Sequence, residues 1–145
     1  MVVYSNSQEE TFNVGRKLGL TAQSGEVYCL VGDLGVGKTI FTKGFASGLN
    51  ILEPVTSPTF TIVNIYEEGR YPFYHFDVYR IEHISEMDEI GYDEYFYGKG
   101  ITFVEWANLI EPIIPKKAHW ISIEKDLEKG LDYRKITLSE ELWEY

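Results

Sequence analysis

Val27-Tyr28-Cys29-Leu30-Val31-Gly32-Asp33-Leu34-Gly35-Val36-Gly37-Lys38-Thr39 is an apolar run that breaks into a glycine-rich turn and closes on a lysine and a threonine. From Gly32 onward it fits the spacing G-x-x-x-x-G-K-[ST]. Val27 to Val31 reads as a buried strand and Phe41 to Leu49 as a helix, so the glycines fall at a strand-to-helix turn. There they let successive backbone N–H groups point inward, forming an anion nest at a helix N-terminus. The pattern predicts that Lys38 reaches the β- and γ-phosphates of a nucleotide and that the Thr39 hydroxyl is a magnesium ligand. The alternative, a glycine-rich turn that binds nothing, does not account for the strand before it and the helix after it. A nucleoside triphosphate is the expected ligand.

Outward from this stretch, Ser7 and Glu10 have capping-box spacing and open a predicted helix that ends by Gly25. The helix after the turn closes at Gly48. Pro54 and Thr56-Ser57-Pro58-Thr59-Phe60 interrupt regular structure, because Pro58 disfavours a helical Ser57. Thr61–Glu67 and Tyr71–Tyr79 are β-branched and aromatic and flank Glu68-Gly69-Arg70, which predicts an antiparallel hairpin. A short helix over Ile84–Ile90 stops at Gly91, and an aromatic loop follows. Ile101 to Val104 is a second buried strand running into Glu105-Trp106. Beyond Pro112 and Pro115, His119–Glu124 and Tyr133–Leu138 read as a closing hairpin around Gly130. The expected fold is α/β: a three-layer P-loop NTPase fold with a mixed, mainly parallel central sheet and antiparallel hairpins, in one domain over residues 1–145.

Composition narrows the function. The 13 Lys and Arg face 23 Asp and Glu, a formal net charge of −10, and no basic run exceeds Lys116-Lys117. Nucleic-acid binders usually carry a basic face, so no direct tight nucleic-acid binding is expected. A basic protein partner suits this field, and so does acidity that serves only solubility. No run of 18 apolar residues appears and the N-terminus lacks a signal-peptide core, so no membrane association and a cytoplasmic location are expected. Cys29 reads as a small core residue rather than a reactive thiol.

A phosphate loop needs acidic partners, which in such folds stand at the carboxyl ends of neighbouring strands. Glu105 and Asp77 have that position, as candidate magnesium-supporting and catalytic acids or as solvated strand-end acids. Ser57 and Thr59 lie where a switch segment commonly sits; a plain Pro-containing turn fits equally well. His75, between Tyr74 and Phe76, reads as a packed strand histidine. Trp106 either covers the site or belongs to the core. The loop Tyr92–Tyr97 is either a partner surface or a packed aromatic cluster.

Gly32–Thr39, Ser57-Pro58-Thr59-Phe60-Thr61, His75-Phe76-Asp77-Val78-Tyr79-Arg80 and Glu105-Trp106, with the upstream pair Glu10-Thr11, resemble in order the motifs of the bacterial TsaE (YjeE) ATPases. The resemblance covers roughly residues 7–138. It implies an ATP hydrolase, slow alone and stimulated by partners, that supports threonylcarbamoylation of the tRNA adenosine next to the anticodon together with TsaB and TsaD. It implies ATP and Mg2+ as ligands. By position, Asp33, Leu34, Gly35, Val36, Gly37, Lys38, Thr39 and Ile40 would cradle the nucleotide, with Thr11 near the base. Thr39, Asp77 and Glu105 would serve the metal, Lys38, Asp77 and Glu105 catalysis, and Ser57 and Thr59 the switch. Ile40 stands where the family commonly has a second hydroxyl residue, which removes one α-phosphate hydrogen bond.

Two other readings share the phosphate loop. A small-molecule kinase would close an arginine-rich lid over the phosphoryl group, and Arg16, Arg70, Arg80 and Arg134 include no clustered pair. A nucleotide-gated binding module would show negligible turnover.

Overall fold

The computed structural model describes residues 1–32, 37–58 and 61–139. Asp33, Leu34, Gly35 and Val36 of the phosphate loop, together with Thr59, therefore lie outside the described residues.

Strand β1 (Val2–Ser5) leads into helix α1 (Gln8–Thr21), followed by β2 (Val27–Val31) and α2 (Lys38–Gly48). The antiparallel pair β3 (Val63–Tyr66) and β4 (Phe73–Asp77) precedes two short helices, α3 (Glu86–Glu89) and α4 (Tyr92–Phe96). Then come β5 (Ile101–Glu105), a 3-10 stretch Ala107–Ile113, β6 (His119–Lys125) and β7 (Arg134–Leu138). Among the described residues these strands form a seven-stranded sheet in the order β1-β7-β6-β2-β5-β4-β3. The four central strands are parallel, and antiparallel pairs close both edges.

Alternation along β2 sorts the layers. Tyr28 and Leu30 join a core with Phe41, Phe45, Phe73, Phe103 and Leu18, under α1 and α2. Val27 and Cys29 face the other way, onto Phe76, Met87, Phe96, Val104 and Ile110. Burial in that second core pushes the Cys29 thiol up to about 12, so it is protonated at neutral pH.

Ser7 caps α1 as expected, accepting from the Glu10 N–H at 3.0 Å. The return bond is displaced by one residue, since Glu10 accepts from the Asn6 N–H at 2.8 Å. Helix α2 opens three residues earlier than its apolar run suggests, with Gly37 in the left-handed region at φ 95°. It closes at Gly48, yet the left-handed residue beyond it is Asn50, at φ 66°. Gly48 serves packing instead. A Cβ there would stand 2.3 Å from the Arg16 carbonyl oxygen, and one at Gly44 would stand 2.0 Å from that of Phe12. The same holds for Gly15, 2.3 Å from the Phe41 oxygen, and Gly19, 2.1 Å from the Phe45 oxygen. Small residues four apart on each helix thus let α1 and α2 touch backbone to backbone.

The Tyr92–Tyr97 segment is a helix rather than a loop. Phe96 is buried, and Tyr95 packs edge-on against Tyr74 and Phe76, so most of this segment is an aromatic cluster; Tyr97 stays exposed. Strand β1 has no counterpart among the elements expected from the sequence. No described helix is long and apolar enough to cross a membrane.

Candidate functional site

β2, β4 and β5 run in the same direction, so their carboxyl ends bring Val31-Gly32, Asp77 and Glu105 to one edge of the sheet. Ligand sites of open α/β sheets form there, where neighbouring connections diverge to either side. The first turn of α2 arrives at the same edge. Gly37, Lys38, Thr39, Ile40, Ser57, Asp77, Glu105 and Trp106 line one cavity of 390 Å³. Residues from four separate stretches of the chain are thereby gathered in one place.

Lys38 is buried, its Nζ donating to the Gly32 carbonyl and lying 3.8 Å from the centroid of the Trp106 indole. Thr39 is exposed at the cavity, whereas the Thr42 hydroxyl is spent on the Lys38 carbonyl at 2.8 Å. Trp106 holds a left-handed conformation at φ 63°, uncommon for a side chain of its bulk, and its N–H donates to the Leu30 carbonyl at 3.0 Å. That bend turns the chain back beside β2 and sets the indole against Lys38 and, at 4.8 Å between ring centroids, against Tyr79. Trp106 is therefore a wall of the cavity.

The two acids differ in their surroundings. Asp77 is half-buried and accepts from the Tyr79 N–H at 3.0 Å. Burial raises its carboxyl above the ordinary range, the nearby Glu105 adds to the rise, and the Tyr79 N–H, His75 and Lys38 offset only part of it. Glu105 is not a solvated strand-end acid. It is 3% exposed, lies within β5, and its Oε2 is 2.5 Å from Nε2 of His75. His75 is packed within β4 as expected, and its contact with Glu105 has no forerunner in the sequence.

Thr11 lines a separate cavity of 100 Å³ with Gln8, Gly37, Ile40, Asp132 and Arg134. The two cavities share Gly37 and Ile40, so Thr11 and Arg134 lie on the far side of the glycine from the acids. The Ser5 hydroxyl donates to the Ser7 carbonyl at 2.9 Å and meets the Thr11 hydroxyl at 2.7 Å, which makes Thr11 the donor in that pair. Ser57 and Asp77 also border a 420 Å³ cavity that reaches Arg80 and Glu86. A larger cavity of 640 Å³ beyond Trp106 offers Asn108, Glu111 and Trp120 but neither lysine nor hydroxyl among its described lining. Chemistry rather than size singles out the cavity around Lys38. Among the described residues, no three His, Cys, Asp or Glu are gathered to hold a metal by themselves.

Comparison with known proteins agrees with this arrangement of elements. Residues 5–136 match the family model described as threonylcarbamoyl adenosine biosynthesis protein TsaE. The protein named tRNA threonylcarbamoyladenosine biosynthesis protein TsaE from Bacillus subtilis is 48% identical over 131 residues, which are 90% of this chain and 80% of that protein. The protein of the same name from Treponema pallidum is 40% identical over 119 residues, 82% of this chain and 87% of that one. A crystal structure of Bacillus subtilis YdiB superposes with a TM-score of 0.78 at 41% identity, covering 95% of this chain and 83% of that chain. Matches of this identity over most of each chain leave one conclusion: the chain belongs to the TsaE family of threonylcarbamoyl adenosine biosynthesis proteins.

Proposed function

We propose that the chain is an ATPase that binds ATP with Mg2+ in the cavity around Lys38 and supports threonylcarbamoylation of tRNA adenosine beside TsaB- and TsaD-like partners in the cytoplasm. The observation that carries the reading is the convergence of Lys38, Thr39, Asp77 and Glu105 on one cavity at the N-terminus of α2. A phosphate chain there meets the Lys38 ammonium and the positive end of an 11-residue helix. The glycine loop between Gly32 and Gly37 would complete the nest by its sequence pattern.

The donor set fits magnesium. Asp77 and Glu105 are cross-strand partners, and Glu105 helps burial to hold the Asp77 carboxyl above its ordinary range, a conflict that a bound divalent cation would relieve. Thr39, Asp77 and Glu105 would hold the ion, directly or through water, with phosphate oxygens and water supplying the remainder of its shell. Bound there, magnesium supplies charge neutralisation at the β- and γ-phosphates. Glu105 would orient or deprotonate the attacking water, and Lys38 would neutralise charge that develops on the phosphoryl oxygens. Thr11, Arg134 and Ile40 would border the base and ribose end.

Arg16, Arg70, Arg80 and Arg134 include no clustered pair in the sequence that could form a lid, so turnover by the isolated chain would be slow. The net charge of −10 suits a basic protein face rather than tRNA itself. Calorimetry tests binding: Lys38→Ala should cost about 1.5–3 kcal/mol of ATP affinity in a folded protein. Phosphate release is then measured with the chain alone, with TsaB- and TsaD-like proteins at low and high salt, and with candidate acceptor metabolites. Stimulation by the partners that weakens with salt, with tRNA modification dependent on this chain, is the expected result. Unchanged ATP affinity in Lys38→Ala overturns the site, and phosphate transfer to a metabolite makes the chain a kinase.

A further inference from the structure

The buried His75 has a place that packing alone does not explain. Its ring is fixed by its neighbours, stacked on Phe73 at 6.1 Å and edge-on to Phe103 at 6.3 Å. Its Nε2 meets Glu105 Oε2, while its Nδ1 is buried and has no hydrogen-bond partner among the described residues. A phenylalanine would fill this slot beside two others without leaving a polar atom unpaired, and an unpaired buried polar atom destabilises a fold. A carboxylate has no proton to give, so Nε2 carries the hydrogen and donates it. The parallel register sets His75 opposite Phe103 and Asp77 opposite Glu105, all on the sheet face beneath α2. Two like-charged acids so placed repel, and a carboxylate held by nothing else would turn away from its neighbour. Among the described residues Glu105 Oε1 has no hydrogen-bond donor, and Glu105 lines the cavity.

We propose that His75 is a positioning residue for Glu105: its Nε2–H holds one carboxylate oxygen and thereby presents the other to the reacting end of the bound nucleotide. This rests on the reading of Glu105 as the acid that acts on hydrolysis. The imidazole reaches neither nucleotide nor water. Its effect passes through the orientation of a side chain 30 residues away in sequence.

The test has two arms. Nitrogen-15 spectra of the nucleotide-free protein should show His75 as the Nε2-protonated tautomer, with a proton resonance that moves upfield in Glu105→Gln; an Nδ1-protonated tautomer overturns the proposal. In single-turnover and steady-state hydrolysis, His75→Phe should lower kcat about 10–100-fold, the range seen when a group that orients a functional side chain is lost. The KM for ATP should stay within about twofold, since ground-state binding is untouched. His75→Gln, which keeps a donor, should recover much of the rate and carries the test where His75→Phe does not fold. In a Glu105→Gln background, His75→Phe should add no further loss. Additive losses, or a His75→Phe enzyme at the wild-type rate beside a slow Glu105→Gln enzyme, overturn the positioning role alone. A Glu105→Gln enzyme at the wild-type rate instead overturns the reading of the site on which the proposal stands.

Discussion

The ammonium of Lys38 lies 3.8 Å from the centre of the Trp106 indole while donating to the Gly32 carbonyl, so the cation that the proposed site would offer to phosphate already has protein partners. A cation over an indole is worth about 0.5–2 kcal/mol. A charge-assisted phosphate contact in a sheltered cavity is stronger, so ATP should win the lysine. Adding ATP with magnesium should then change intrinsic fluorescence, and Trp106→Phe should remove most of that change while Trp120 and Trp143 remain. A signal that survives the substitution separates Trp106 from the nucleotide.

Asp77 should matter for the metal more than for the nucleotide. Asp77→Asn removes one acid of the facing pair and leaves Lys38 and Thr39 in place. The half-saturating magnesium concentration for hydrolysis should rise about tenfold, with metal-free nucleotide affinity little altered. An unchanged magnesium titration removes Asp77 from the metal's surroundings.

The glycine contacts between α1 and α2 predict a stability effect away from the cavity. Gly15→Ala and Gly44→Ala each drive a methyl into a facing backbone carbonyl oxygen and should cost about 3 kcal/mol or more, the upper end for overpacking. Gly91, where a Cβ meets nothing within 4 Å but φ is +67°, should lose only about 1–2 kcal/mol as alanine, from backbone strain. Urea unfolding of the three variants orders them, and an equal cost at Gly44 and Gly91 contradicts the close crossing.

Much of this architecture was legible in the sequence. Val27–Val31 is a continuous apolar run, and Ile101–Val104 is apolar but for the buried Thr102, because helices cover both faces of the strands they form. The two hairpins carry their turn residues in place. Strand β1 escaped because only Ser5 of its four residues is buried, leaving no alternation to detect. Helix α4 escaped because its five residues are mostly aromatic and acidic and too few to show a period. Gly15, Gly19, Gly44 and Gly48 do carry a signal, small residues four apart on each of two helices. Read singly, they are only poor helix formers. The His75–Glu105 contact had no local signal, since it depends on the register of β4 against β5, which nothing within either strand specifies.

Glu26 offers a pH-dependent check remote from the cavity. It accepts from the Gln23 N–H at 2.5 Å, the Tyr28 hydroxyl at 2.9 Å and His119 Nε2 at 3.0 Å. Burial pushes its carboxyl up, but the hydrogen bonds from His119, Gln23 and Tyr28 outweigh burial and hold it below its ordinary value of 4.5. A depressed value means that the folded state binds the proton less readily than the unfolded chain. The stabilisation is therefore present above 4.5 and is lost as pH falls through the lower folded value. Glu26→Gln should be less stable than the wild type at pH 7 by about 1 kcal/mol, with the gap closing in acid. A gap constant from pH 7 to below pH 4, values that bracket the ordinary carboxylate range, assigns the loss to shape rather than charge.

Where α1 and α2 lie backbone against backbone, neither helix can slide or roll without driving a carbonyl oxygen into a neighbouring Cα. Lys38 and Thr39 on one helix and Thr11 on the other are thus mounted on a single stator. If the chain turns over nucleotide as proposed, a message to another protein would leave through the opposite walls, at Ser57 and at the left-handed bend of Trp106. A partner that read such a message would have reason to grip this side of the molecule and to ignore the helical back.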